Sequence, residues 1–166
     1  MPTDAELTFA DHAGRFYARR YGFPPMVGRL IGYLAICEPR EQSIGELAEA
    51  LLASRSAITG AIKVLEATHL VRRSRAAGER MDRVSFDLNS PQAFGFDVTE
   101  YLEQAELARE GLQVIKDAPI ERKSILLQFA AFSEFLAEKL PVLEQEWKKH
   151  RAALIKAGKL HDDSPH

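Results

Sequence analysis

Seven basic side chains, Arg55, Lys63, Arg72, Arg73, Arg75, Arg80 and Arg83, fall within residues 54–84, against three acidic ones, Glu66, Glu79 and Asp82. That local balance of +4 sits in a chain of net charge −2, which leaves −6 for the remainder. Positive charge concentrated on an otherwise acidic protein fits a polyanion footprint, with guanidinium and ammonium groups on phosphates. Among these cations stand Ser54, Ser56, Thr59 and Gly60. Their small side chains let a helix backbone sit deep in a major groove, and their hydroxyls donate or accept at base edges and phosphates. The competing readings are a solvated, charge-rich hairpin or a hairpin that contacts an acidic protein partner. Catalysis finds little support: the chain offers no paired nucleophile and base and no phosphate-cradling glycine loop. His12 and His69 lie in no recognisable ligand spacing, so neither a metal nor another cofactor is expected.

Two helices and a hairpin must hold these residues. Ser43-Ile-Gly-Glu46 matches a capping box, in which the serine hydroxyl takes a free backbone N–H and the glutamate reaches back to the cap. It predicts a helix with Ile44, Leu47, Ala48 and Leu51 inward, ending near Ala53, where Ser54 caps the next helix. In that next helix Ile58, Ala61, Ile62 and Leu65 form one face, while Arg55, Ser56, Thr59, Gly60 and Lys63 share the other. Gly60 costs about 1 kcal/mol of helix propensity, so it implies close approach, either to a bound duplex or to a neighbouring helix. A two-stranded hairpin follows, Leu70-Val-Arg-Arg-Ser-Arg and Met81-Asp-Arg-Val-Ser-Phe, with Gly78 at the turn. Helix, tight turn, helix and basic hairpin together read as a winged helix-turn-helix. In that arrangement Arg80 is the first candidate and Arg83 the second for a narrow minor groove, and Arg72, Arg73 and Arg75 fall to phosphates. Ser43 joins the predicted DNA contacts with Ser54, Arg55, Ser56, Thr59, Gly60 and Lys63.

The flanks are helical. Leu7, Ala10, Ala13, Phe16 and Tyr17 recur at helical spacing up to Tyr21-Gly22, and a second helix starts at Pro24-Pro25 with Val27, Leu30, Ile31, Leu34 and Cys37 on one face. Cys37 then reads as a small core residue near a helix end. A redox thiol would need a cation beside it to lower its pKa, and none is evident nearby. Asn89-Ser90-Pro91 predicts the start of a long helix through Phe94, Val98, Tyr101, Ala105, Ala108, Leu112 and Ile115, broken at Asp117-Ala-Pro119. The last helical pattern carries Ile125, Phe129, Phe132, Leu136, Leu140, Leu143 and Trp147, with Pro141 predicted to kink or break it. This is more apolar surface than one small module needs. Packing against the same helices of a second copy explains it, as would packing within one chain.

The expected fold is therefore mainly α with a small β-hairpin wing: a winged helix-turn-helix plus a helical dimerisation region. Residues 1–22 form an N-terminal helix joining the dimerisation region, 23–90 the DNA-binding domain, 91–157 the dimerisation helices and 158–166 a disordered tail. At 166 residues the chain leaves no room for a second large domain. The single cysteine excludes an intrachain disulfide framework, and Met-Pro-Thr-Asp-Ala-Glu lacks the layout of a signal peptide, so a cytoplasmic location is expected. The longest apolar-leaning run, Tyr33-Leu-Ala-Ile-Cys37, is far too short to span a bilayer, and no membrane partner is expected.

These residues resemble the MarR superfamily, and within it the GbsR-like branch. The resemblance covers about residues 16–88. It is carried by Tyr-Gly-Phe-Pro-Pro-Met-Val-Gly-Arg-Leu-Ile-Gly-Tyr-Leu at 21–34, Ser-Ile-Gly-Glu-Leu-Ala at 43–48, Ser-Arg-Ser-Ala-Ile-Thr at 54–59 and Gly-Glu-Arg in the wing. It implies a bacterial, homodimeric, ligand-responsive regulator, usually a repressor, bound to double-stranded DNA at a palindromic operator and so located at the nucleoid when engaged. The chain departs from the family pattern at His69, where members often have glycine, and in the wing, where Asp-x-Arg spacing is not cleanly reproduced. A GbsR-like relative implies an osmolyte or quaternary ammonium effector, for which Phe16, Tyr17, Tyr33 and Tyr101 would supply aromatic faces. The same rings at helical spacing also read as core.

Overall fold

The structure is a computed structural model and describes residues 1–163. Two compact units divide it, Met1–Ala93 and a second from Phe94 onward.

The first unit opens with α1 (Asp4–Tyr21), started by a capping box between Thr3 and Glu6 and closed at Gly22. It packs along α2 (Pro25–Ile36), whose first turn carries the proline that the sequence placed there. Gly28 is required at their crossing: a Cβ on it would stand 2.7 Å from Gly14 Cα and 2.8 Å from the Ala13 carbonyl oxygen. The predicted face of α2 is buried, with Val27 and Leu30 almost fully so, and Cys37 closes the helix as a core residue. Burial pushes the Cys37 thiol up, away from the thiolate.

A two-residue strand, β1 (Gln42–Ser43), leads into α3 (Ile44–Ala50). The capping box forms as its residues predict, with Ser43 N–H donating to Glu46 Oε2 at 2.7 Å and Glu46 N–H to Ser43 Oγ at 3.2 Å. The helix stops at Ala50, three residues short of the expected end. Ala53 N–H turns back to the Ala48 carbonyl and Leu52 N–H to that of Glu49, which is a Schellman closure with Leu52 at φ +52°. Recognising it from sequence would have required a glycine where this chain has leucine. Ser54 then caps α4 (Arg55–Ala67), its Oγ accepting from Ala57 N–H at 3.0 Å. Ile58, Ala61, Ile62 and Leu65 are all buried, as the spacing predicts. The same closure ends α4, with Leu70 N–H on the Leu65 carbonyl, His69 N–H on that of Glu66 and His69 at φ +56°. The position where the wider family often has glycine is thus a left-handed one, and histidine adopts it here.

The wing consists of β2 (Val71–Ser74) and β3 (Arg83–Phe86), antiparallel with Val71 opposite Phe86 and Ser74 opposite Arg83. Gly78, at φ +86°, supplies the turn. Sequence reasoning missed the third strand. β1 pairs with β3, Ser43 opposite Arg83, giving the order β1-β3-β2 and tying the wing root to the start of α3. A two-residue strand leaves no alternation to detect.

At the boundary between the units the helix expected from Pro91 is delayed. A short 3-10 turn, Pro91–Phe94, is followed by Gly95 at φ +77°, and α5 spans Thr99–Val114. Phe94 instead packs on Trp147 in a tilted contact, ring centroids 5.4 Å apart. The break at 115–119 occurs as expected, and α6 runs unbroken from Ile120 to Lys156 with Pro141 inside it. Pro141 does not end the helix: it removes one backbone donor, and the rest of a 37-residue helix absorbs that loss. α5 packs on α6 through small residues, Ala105 and Ala108 on one side and Ala130 and Ser133 on the other, and Ser133 Oγ donates to Gln104 Oε1 at 2.9 Å. A Schellman closure at Gly158, with Lys159 N–H on the Leu154 carbonyl, ends α6. Residue 158 thus belongs to the helix closure rather than to the expected disordered tail, whose last part, 164–166 with His166, lies outside the described residues. No helix is long and apolar enough to cross a membrane among the described residues.

Candidate nucleic-acid interface

α4 presents two unlike faces. Its inner side is sealed in the core, while Arg55, Ser56, Gly60 and Lys63 are exposed and Thr59 is half-buried. Nothing lies within 4 Å of the place a Cβ on Gly60 would occupy. Packing against a neighbouring helix of the chain, one of the two readings of this glycine, has no counterpart in the first unit. Arg55 reaches across to α3, and a Cβ on Gly45 would stand 3.0 Å from its Nη2, so glycine at 45 leaves room for the guanidinium.

Ser43 is buried at 4% exposure, and its hydroxyl is occupied by the cap of α3. This corrects its place among the expected contacts: it starts the supporting helix and presents no group outward. Ser54 is exposed, with its hydroxyl accepting in the cap of α4.

The wing arginines divide by their partners. Arg83, second candidate for the minor groove, is held by Glu46 at 2.9 Å and Glu79 at 3.3 Å, and it also donates to the Glu41 carbonyl. Its side chain is 27% exposed. Arg73 is paired with Glu66 and lies 3.9 Å from Asp82, and Arg75 is 2.8 Å from Asp82. Arg72 and Arg80 are exposed and appear in no ion pair among the described residues. Glu46 serves two ends at once. Ser43 N–H, and after it Arg83, hold its carboxyl below its ordinary value of 4.5.

The expected effector residues are scattered over different environments. Phe16 and Tyr17 make an edge contact at 5.0 Å, and Tyr17 stacks with Tyr21 and Phe23. Tyr33 is a core residue at 7% exposure, and burial raises its phenol pKa. Tyr101 belongs to α5 of the second unit.

Comparison with known proteins agrees with this geometry. Residues 21–80 match the model of the MarR family, and residues 92–150 match that of the MmpR5-like MarR family transcriptional regulators. The HTH-type transcriptional regulator MmpR5 of Mycobacterium tuberculosis (strain ATCC 25618 / H37Rv) is 34% identical over 120 residues, 70% of each chain. The crystal structure of a transcriptional regulator superposes with a TM-score of 0.80 at 25% identity, covering 87% of this chain and 99% of that one. A sealed and capped helix pair, a basic wing joined to it by β1 and these matches along most of the length lead to one conclusion: the chain belongs to the MarR family of winged-helix transcriptional regulators, which are DNA-binding proteins and not enzymes.

Proposed function

We propose that this regulator acts as a homodimeric, ligand-responsive repressor that reads a palindromic operator with α4 in the major groove. The open face of α4 carries the reading: Gly60 with free space beyond it, flanked by Ser56, Thr59 and Lys63, on a helix whose other side is fully buried. The division among the wing arginines supports Arg80 as the minor-groove residue, because its guanidinium is spared by the carboxylates that hold Arg83. Arg72 is assigned to phosphate. Arg73 and Arg75 can reach phosphate only by giving up Glu66 or Asp82.

Dimerisation is supported by the outer face of α6, where Ile125, Phe129, Phe132 and Phe135 are half or more exposed. On α1, Phe9 and Phe16 are exposed as well, which supports a share for residues 1–22 in the same assembly. Within the family, the proline-led α2 supports a GbsR-like origin, and the match of 92–150 supports an MmpR5-like one. We favour the second because it covers the helices proposed to pair. For the effector, exposed ring faces at Phe16 and Tyr21 beside Tyr17 suit a cationic or apolar molecule.

Duplexes selected from a randomised pool, then titrated at several salt concentrations, test the reading. Arg72→Ala should weaken all sequences alike and reduce the salt slope by about one. Thr59→Ala and Arg80→Ala should lower affinity for the selected duplex by roughly tenfold or more, on the scale of about 1–3 kcal/mol for a specific contact. Absence of salt-dependent duplex binding would leave the acidic-partner reading of the hairpin in its place.

A further inference from the structure

Arg29 stands on α2, yet both of its hydrogen bonds leave that helix. Nε donates to Asp11 Oδ1 on α1 at 2.7 Å, and Nη1 donates to the Leu51 carbonyl at 3.1 Å. The side chain is only 22% exposed. Its stem passes over Gly14 of α1, where a Cβ would come within 2.9 Å of Arg29 Cγ. Helix α1 therefore supplies both the slot and the counter-charge for an arginine whose free end works on α3.

The acceptor is a significant one. Leu51 follows the last residue of α3, where carbonyls have lost their helical partners and a cation is favoured by the helix dipole. Leu52, the next residue, holds φ +52° and is 78% exposed. Side-chain burial does not hold it in that conformation, which non-glycine residues keep only when their surroundings impose it. Two residues later Ser54 caps α4. The four-residue connection 51–54 alone joins the supporting helix to the reading helix, and the one side-chain bond on its backbone among the described residues comes from Arg29.

We propose that Arg29 is a positioning residue for operator recognition. By tying the Leu51 carbonyl to Asp11, it fixes the α3–α4 turn and the angle at which α4 meets the duplex, and it makes that angle depend on α1. It contacts no nucleotide. The proposal rests on the reading of α4 as the recognition helix.

The test uses the full chain, the selected duplex and an unrelated duplex of equal length, each titrated over a range of salt. Arg29→Met keeps the stem over Gly14 and removes both bonds. It should weaken binding to the selected duplex on the order of tenfold, the scale of one lost hydrogen bond from a charged group. Binding to the unrelated duplex and the salt slope should not change, and amide exchange across residues 52–57 should quicken. Arg29→Lys, which can reach one partner, should recover part of the loss. Asp11→Asn, at a half-exposed position that folding tolerates, should give a smaller loss of the same kind and stands in if Arg29→Met does not fold. The proposal is overturned by unchanged discrimination in both Arg29→Met and Asp11→Asn. It is also overturned by a parallel loss on both duplexes with a lower salt slope, which would make Arg29 a phosphate contact. Thr59→Ala separates the two levels: if it weakens selective binding while the Arg29 and Asp11 variants do not, the positioning role fails and the α4 reading stands. If Thr59→Ala is silent as well, both fall.

Discussion

The two units bury different kinds of side chain. In the first, Leu30, Leu47, Leu51, Ile58, Ile62, Leu65 and Val84 are sealed, drawn from α2, α3, the turn after it, α4 and the wing. In the second, the buried residues are Ala105, Ala108, Ala130 and Ser133, while Phe129, Phe132, Phe135, Val142 and Leu143 face outward. The first unit encloses a core of large apolar residues, although a few such as Phe9 and Phe16 stay exposed. The other holds two helices together through small residues, which permit close approach but remove little apolar surface from water, and leaves its large ones uncovered. The difference teaches that the first unit carries a core of its own, whereas the second leaves large apolar side chains open, which fits the dimerisation proposed above.

Cutting into the sealed core gives the largest effect. Leu65→Ala, at a fully buried position, should destabilise the first unit by about 2–5 kcal/mol in chemical denaturation, since the cavity adds to the lost transfer free energy. A cost below about 1 kcal/mol would mean that this core is less filled than it looks.

The outward face of α6 is the converse case. Phe132→Glu places a charge at a position 56% exposed in the single chain, so the monomer should fold unchanged. Sedimentation should show dimer association weakened by about 2 kcal/mol or more, as for a residue at the centre of an interface. If the variant associates as the parent does, this face is not where the second unit is completed.

The smallest effect concerns the link between wing and α3. Glu46 accepts from Ser43 N–H and from Arg83, and its folded pKa lies below the unfolded one. A depressed carboxyl contributes stability that is fully present above its unfolded value and is lost as pH falls through the folded one. The urea midpoint should therefore drop as pH is lowered below 4.5, and Glu46→Gln should flatten that dependence. The exposure of this carboxylate, 46% at its side chain, keeps the effect modest and sensitive to salt.

Local patterns were legible where the chemistry is local. The Ser43 and Ser54 caps, the buried stripe of α4, the hairpin turn at Gly78 and the break before Pro119 follow from hydroxyls, spacing, glycine and proline that act within a few residues. Reading failed where a distant partner decides. The end of α3 rests on a left-handed leucine, β1 exists only because β3 lies beside it, and the helix expected at Pro91 gives way to a short turn whose Phe94 packs on Trp147. The stripe read on α6 joined residues of both its sides: Leu136, Leu140 and Trp147 are half-buried, while Ile125, Phe129 and Phe132 are exposed. The face that meets α5 includes Ala130 and Ser133, too small or too polar to register as a hydrophobic pattern.

By itself the sequence determined which side of α4 is apolar, where the basic residues cluster and how the helices of the first unit begin, because periodicity, charge and capping belong to the chain. Only the tertiary structure decided which arginines are already held by carboxylates and that Arg29 ties α1 and α2 to the turn before α4. Apart from the Glu79 contact of Arg83, the bonds behind those outcomes join groups 7 to 37 residues apart in sequence, and only the fold brings them within reach.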